Sequence, residues 1–329
     1  MPELATVAQA VQIGVETTAG TTVSSSKLLN SIGFEPGINF EATTFRPIGQ
    51  KYPSQVVPNR EWMTWTVSGV PSYGEIVYPL NSVLVHSTAS TSDTSAKIWT
   101  FTPAARTEDT VDTFTIEMGS STRAFRSVYA LFSDYTLTFE RTALSHGGSV
   151  ISQRLLDGVT LTATPTAVEE KPIIPTHCDF YIDTTSGGLG GTKMTRAFRV
   201  AVNMQNRFNP VWPLNSAVTG YASHVEIEPN FGIEWLLEAD ATGMGFLTTQ
   251  ARAGTTVFVR MKATSTELAG AATLPYSLQI DAAVKIDTVG NPRTDQEGVA
   301  CIPYTGRIVY DASWGKAVEV KVTNKVAAL

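Results

Sequence analysis

Residues 60–84, REWMTWTVSGVPSYGEIVYPLNSVL, change period midway, and that change limits what the chain can become. Trp62, Thr64, Thr66 and Ser68 alternate with Met63, Trp65, Val67 and Gly69. A period of two, rich in aromatic and β-branched residues, is the pattern of a strand with one apolar face. Pro71 then ends the strand, because it has no N–H to give to a ladder. Ser72, with Glu75 three residues on, has capping-box spacing, and Tyr73, Ile76, Val77, Leu80, Val83 and Leu84 follow near helical spacing. Pro79 either shortens or kinks that helix. The stretch predicts a strand, a tight break and a short amphipathic helix.

A second unit of this kind lies at residues 221–253. Tyr221, Ser223, Val225 and Ile227 predict a strand, Pro229 and Asn230 a break, and Phe231, Ile233, Trp235, Leu237 and Ala239 its partner strand. Met244, Phe246, Leu247 and Ala251 then predict one short helix ended by Gly254. A strand at 255–261 follows, matched in the first half by residues 97–102. Strands, one helix, then more strands is an internal repeat of order and type, with low identity between its copies.

The 329 residues suit about two domains, and 43% hydrophobic against 16% charged residues allows sizeable cores. A net charge of −6 lacks the basic footprint of a nucleic-acid binder. No apolar run reaches the ~18 residues of a membrane span, and the first residues carry no basic stretch of a signal peptide. Cys178 and Cys301 read as reduced, semi-buried side chains of a protein made in a cytoplasm, with a disulfide as the lesser alternative.

Taken in order, residues 1–30 read as an N-terminal arm, polar and small around 14–23, that orders only against a neighbouring subunit or stays loose. Its deletion is expected to leave a folded subunit unable to stack. Residues 31–165 form the first β domain. Within it a strand from Ser31 is interrupted at Pro36 and Gly37 and resumes through Phe45. Residues 46–59, with three prolines, form a long hairpin-tip loop that reaches a partner. The Ser/Thr tract at 87–96 is a solvated loop. Residues 166–177 are the linker, and 178–329 the second β domain.

Few residues suggest chemistry. The glycine cluster Gly187, Gly188, Gly190, Gly191 before Lys193 lacks phosphate-loop spacing and precedes a strand, so it reads as a hairpin turn. His86, His146, His177 and His224 lack metal-site spacing, and His177 beside Cys178 points to the opposite strand face. His224 and Glu226 share a face and read as a local polar pair. Glu226, Glu228, Glu234 and Glu238 fall on successive strands, where they make either a negative wall or a carbohydrate-cleaving pair. Asp287, Asn291, Asp295 and Glu297 lack calcium-loop order. Trp62, Trp65, Trp99, Trp212, Trp235 and Trp314 read mostly as core. No catalytic, cofactor-binding or metal residue is assigned.

The run Gly14-Val15-Glu16-Thr17-Thr18-Ala19-Gly20-Thr21 resembles the G-x-E-T-x-x-G-T opening of the tail tube (major tail) proteins of long-tailed bacteriophages. Residues 98–103 resemble that family's Y-x-F-x-P step, with Trp99 where Tyr is common. Residues 178–183, 224–226 and 276–281 fit its second half. Asp311-Ala312-Ser313-Trp314-Gly315-Lys316-Ala317, leading to Val322-Thr323-Asn324, resembles its closing D-x-x-x-G-x-A…V-x-N. The order of these motifs over most of the chain carries the resemblance; the Ser/Thr tract departs from it.

The resemblance implies a mainly β fold of two sandwich- or barrel-like tail-tube modules, each flanked by one short α-helix. It implies a structural virion protein, not an enzyme, that needs no cofactor and assembles in the host cytoplasm into stacked rings around a bore for DNA. Two modules per chain imply trimeric rings of pseudo-sixfold symmetry; one would need hexamers. Tape-measure and tail-tip proteins are implied partners, without a membrane, and an acidic bore would let DNA slide. A tail-tip, hub or completion protein forming a single ring is the alternative. An enzyme acting through Glu226 and Glu234 is the third reading.

Overall fold

The computed structural model describes residues 9–93, 95–214, 220–271 and 273–329. The first half contributes β1 (Ala10–Val15), β2 (Lys27–Leu29), β3 (Ile32–Phe45), β4 (Gln55–Gly69), α1 (Val77–Val83), β5 (Ser90–Thr91), β6 (Lys97–Phe101), β7 (Phe114–Gly119), β8 (Ala124–Glu140), β9 (Leu144–Ser152), β10 (Leu156–Val159) and β11 (Thr166–Ala167). The second contributes β12 (Cys178–Asp183), β13 (Ala197–Gln205), β14 (Phe208–Val211), β15 (Ser223–Glu226), β16 (Asn230–Glu238), α2 (Ala241–Gly245), β17 (Val257–Leu268), β18 (Pro275–Val289), β19 (Thr294–Gln296), β20 (Val299–Ile308) and β21 (Val318–Asn324). With 53% strand and 8% helix the chain is mainly β, and its ladders do not close into a barrel.

Six antiparallel ladders recur in the same order in both halves. β1–β7, β3–β4, β4–β9, β7–β8, β8–β9 and β8–β10 in the first are matched by β12–β17, β13–β16, β16–β20, β17–β18, β18–β20 and β18–β21 in the second. A helix follows the second strand of the long hairpin each time, α1 after β4 and α2 after β16. Even an irregularity repeats. The β8–β9 register shifts between Phe132 and Asp134, and the β18–β20 register between Ile286 and Thr288.

Two further ladders join the halves. β13 pairs with the second part of β8, Arg199 opposite Glu140 through Met204 opposite Tyr135. β6 pairs with β21, Phe101 opposite Val320 through Lys97 opposite Asn324. One continuous apolar core runs beneath them, from Ile13 and Trp65 to Trp235 and Val322.

Local chemistry explains α1. Ser72 Oγ accepts from the Glu75 N–H at 3.1 Å, the forward half of the expected box. The Glu75 carboxylate does not turn back. It accepts instead from the N–H groups of Asn30, Ser31 and Ile32 and from the Ser31 hydroxyl, fastening the start of β3 to the helix. Pro79 is the third residue of α1, where its missing N–H is one the helix leaves unbonded anyway, so no kink results. Every α1 residue is buried, so the helix is an internal strut, not an amphipathic surface element.

Several expectations are corrected. Residues 10–29 are not an arm: β1 pairs with β7 and β2, and Ile13 is fully buried. Deleting residues 1–30 would therefore remove a core strand; residues 1–8 lie outside the described residues. Glu16 explains the order of this segment. Its carboxylate accepts from the N–H groups of Gly20 (2.7 Å) and Tyr129 (2.8 Å) and from the hydroxyls of Thr113 (2.9 Å) and Thr115 (3.1 Å). Gly14 is required because a Cβ there would stand 2.5 Å from the Ser24 carbonyl oxygen. The 166–177 segment is no free linker, since β11 runs parallel to β2 and Ile173 is buried and hydrogen-bonded to Pro71. β3 passes straight through Pro36, which is tolerated because β3 is an edge strand. The strand matched by pairing to β17 is β7, not residues 97–102. The strand at 221–227 is β15, which pairs with β14; the partner of β16 is β13, and residues 217–219 lie outside the described residues.

Candidate assembly interface

The first hairpin stands away from the body. β3 and β4 pair over their full length, and β9 covers β4 only from Met63 to Gly69. Beyond Met63 no third strand supports the ribbon among the described residues. The buried alternation of Met63, Trp65 and Val67 stops there, and Ile38, Phe40, Phe45, Ile48, Tyr52 and Val56 are all exposed, Ile48 completely. Residues 46–54 form its tip; the loop expected over 46–59 is shorter, because residues 55–59, Pro58 included, belong to β4. A ribbon carrying this much uncovered apolar surface marks a contact face.

The equivalent hairpin of the second half is folded down. Past Gln205 and Asn230 its strands continue as the separate β14–β15 ribbon, which lies on the first half. Arg207, 1% exposed, is the lock. Its guanidinium donates to the Val83 carbonyl at 3.2 Å and to the Leu84 carbonyl at the end of α1, and pairs with Asp109 and Glu226. Glu226 also accepts from the Asp109 N–H at 2.9 Å. Trp212 packs edge-on against Trp62 at 5.5 Å under the Arg60 guanidinium. Tyr221 is fully buried, with its carbonyl held by Gln153 at 2.9 Å.

Among the described residues several strand edges have no second ladder partner, β3 and the end of β18 among them. β3 pairs with β4 alone, along fourteen residues. β18 is flanked by β17 only as far as Val284; from Lys285 onward, and along β19, its ladder partner among the described residues is β20. In the first half the corresponding stretch of β8 is Leu131–Tyr135, of which β13 covers Tyr135 alone. Open edges present unpaired N–H and C=O groups that accept an added strand.

The residues read for chemistry have structural partners. The glycine cluster turns back through a Tyr181–Lys193 bridge, and the Asp183 carboxylate takes the Gly190 and Thr192 N–H groups that a phosphate would need. His224 is not paired with Glu226; it sits between the rings of Tyr129 and Tyr221 at 4.5 and 4.8 Å, and burial pushes it down to about 4. Burial likewise lowers His146 to about 4, its ring bonded to the Tyr135 hydroxyl at 2.8 Å and near the Ser31 carbonyl. His86 faces Asp112 at 2.8 Å.

The four glutamates do not form an unopposed negative wall. Glu226 meets Arg207, Glu228 meets Arg307, Glu234 accepts from Asn203 and Glu238 meets Arg196. Asn291 and Asp295 cap their own turn at Arg293 and Gly298. Among the described residues no cluster of three His, Cys, Asp or Glu is placed to hold a metal. Cys178 and Cys301 are free thiols; burial pushes Cys178 up to about 12. Trp65, Trp99 and Trp235 are core, while Trp62, Trp212 and Trp314 are only partly covered.

Sequence reasoning missed Arg207 and the open β18 edge. An arginine between two strands carries no local sign of a partner ninety-eight residues away. No helix is long and apolar enough to cross a membrane. No protein-family model matches the chain, and no curated protein is similar to it.

Proposed function

We propose that the chain is a structural protein of a phage tail, building the hollow tube from copies of itself. The observation that carries this reading is the recurrence of one six-ladder plan with its helix, combined with a projecting hairpin whose apolar residues stay exposed among the described residues. In this reading the two halves are tail-tube modules, each a sandwich-like unit that completes a barrel-like wall only in the assembly. The first extends back to β1. Three chains would give a ring of pseudo-sixfold symmetry, and rings would stack into a tube through which DNA passes.

The resemblance motifs support the reading as scaffold. The glutamate of the opening motif is the buried clamp on Thr113, Thr115 and Tyr129, and Asp311 in the closing motif accepts from Trp314 N–H at 2.8 Å to shape the turn before β21. The protein would act in the virion after synthesis in the host cytoplasm, with tape-measure and tail-tip proteins as partners. No catalytic step is assigned to it, and no cofactor.

Electron microscopy of the purified protein tests this. Tubes with a regular axial repeat are the expected result. Single closed rings that never stack would favour the tail-tip or hub reading. A monodisperse monomer at every concentration would overturn the proposal.

A further inference from the structure

The two long hairpins correspond residue by residue, although one projects and the other is folded down. The repeated register shift sets Phe132 on Ile286 and Val150 on Gly306. Following the ladders outward sets Trp65 on Ile233, and so Met63 on Phe231 and Ile38 on Met204. Each hairpin then carries one extra residue in its second strand: Glu41 faces Arg60 but Ala42 faces Pro58, and Gln205 faces Asn230 but Phe208 faces Glu226. Beyond that bulge the pairing ends at equivalent places, Phe45 with Gln55 and Val211 with Ser223. The next hydrogen bond is also the same, from the Ser54 N–H to the Phe45 carbonyl at 2.9 Å and from the Ala222 N–H to the Val211 carbonyl at 3.0 Å. Arg46 thus falls on Trp212, and Pro53 on Tyr221.

The second tip has a seat, and the seat is in the first half. Trp212 packs on Trp62, the Tyr221 hydroxyl donates to the Tyr129 carbonyl, and the Tyr221 carbonyl accepts from Gln153. Under the same correspondence Trp62 and Gln153 fall on Asn230 and Val309. There the second half has an open groove of about 560 Å³, lined by Pro229, Phe231, Ile308, Val309 and Tyr310 and by the 103–108 loop. Tyr310 is 48% exposed, and among the described residues no side chain takes the part of Tyr221. The first tip is the piece left over. Tyr52, one residue from the Tyr221 position, is 78% exposed, whereas Tyr221 is fully buried. The tip also carries Arg46 and Lys51 and no acid, on a chain of net charge −6, so its charge favours approach to another copy.

We propose that this groove receives the β3–β4 tip of a second copy of the chain, with Tyr52 entering as Tyr221 does within the molecule. The proposal rests on the self-assembly reading and deepens it by naming the two surfaces that meet. The contact is head-to-tail: each copy gives a tip and receives one, and the series closes when its rotation returns on itself. It also gives a reason for the difference between the hairpins. Arg207 fastens the second to its own chain. At the matching position the first has Glu41, which pairs within the ribbon with Arg60 at 2.6 Å, and the hairpin is left free to reach outward.

Photocrosslinking tests the seat. Protein with benzoylphenylalanine in place of Tyr52 is mixed with heavy-isotope-labelled wild-type chain, assembled and irradiated. Mass spectrometry of the digest is expected to show crosslinks from position 52 to residues 227–231 or 307–310 of the labelled chain. Tyr52→Ser should weaken association roughly thirtyfold or more, the loss of a buried aromatic anchor. The melting temperature of the unassociated chain should not change, since Tyr52 is exposed there. Rings or tubes whose crosslinks from position 52 fall only outside the groove, or that form equally well with Tyr52→Ser, would overturn this seat while leaving the tube reading intact. Crosslinks joining position 52 to the tip of another copy would mean a two-fold contact and also overturn it. A wild-type protein that never associates would end both.

Discussion

Arg207 is where the second half grips the first, and replacing it with Met gives a calculable outcome. The methionine keeps most of the volume and leaves the Asp109 and Glu226 carboxylates, 6% and 21% exposed, facing each other without a cation. The Val83 and Leu84 carbonyls at the end of α1 lose their donor as well. Breaking a buried ion pair from one side costs about 3–5 kcal/mol, most of it the penalty of the stranded charge. Guanidinium unfolding should show a loss of that size. Adding Asp109→Asn and Glu226→Gln removes the stranded charges and should recover at least half of the loss, although the arginine is still absent. Single replacements of those acids in the wild-type protein should each cost less than Arg207→Met. If Arg207→Met changes stability by under about 1 kcal/mol, or if neutralising the acids recovers nothing, the guanidinium is not what holds the β14–β15 ribbon down, and the reasoning fails.

Two other outcomes follow from buried groups. Glu16→Ala leaves the Gly20 and Tyr129 N–H groups without their acceptor and should cost about 2–4 kcal/mol in the same unfolding assay; Glu16→Gln, which keeps one acceptor, should cost less. His146 is held near 4 in the folded chain against about 6.5 free, so the unfolded chain binds the extra proton. Its contribution is complete above about pH 6.5 and is lost as pH falls toward 4, by up to about 3 kcal/mol, and His146→Gln should flatten the stability profile across that window. An unchanged profile in His146→Gln would show that the ring is not buried neutral against Tyr135.

Strand periodicity carried much of the reading, because a face is a local property. Met63, Trp65 and Val67 had to point one way, and Phe231, Ile233, Trp235 and Leu237 likewise, whatever lay beside them. The break at Pro71 and the helix after it were legible for the same reason. Neighbours were not. Nothing in residues 197–205 says that they will lie between β8 and β16, and adjacency in sequence pairs the strand at 221–227 with β16, whereas its ladder partner is β14. The first thirty residues misled differently. Their polarity is real, but Glu16 spends it on buried hydroxyls and N–H groups a hundred residues away, so a segment too polar to fold alone is held by the core. The open edges that form the candidate interface were beyond reach for the same cause, since an edge is defined by the strand that is missing.

The β6–β21 ladder also has a consequence for how the molecule is made. Lys97 lies opposite Asn324, and the indole of Trp99 donates to the Val326 carbonyl at 3.0 Å. During synthesis the first half can form its own ladders early, but β6 has only the two-residue β5 beside it until more than two hundred further residues have left the ribosome. At roughly 5–20 residues per second that is a wait on the order of ten seconds or more, with one edge of an aromatic strand open. Aggregation of chains truncated before β21 is the expected outcome of pairing β6 with a strand so much later in the sequence.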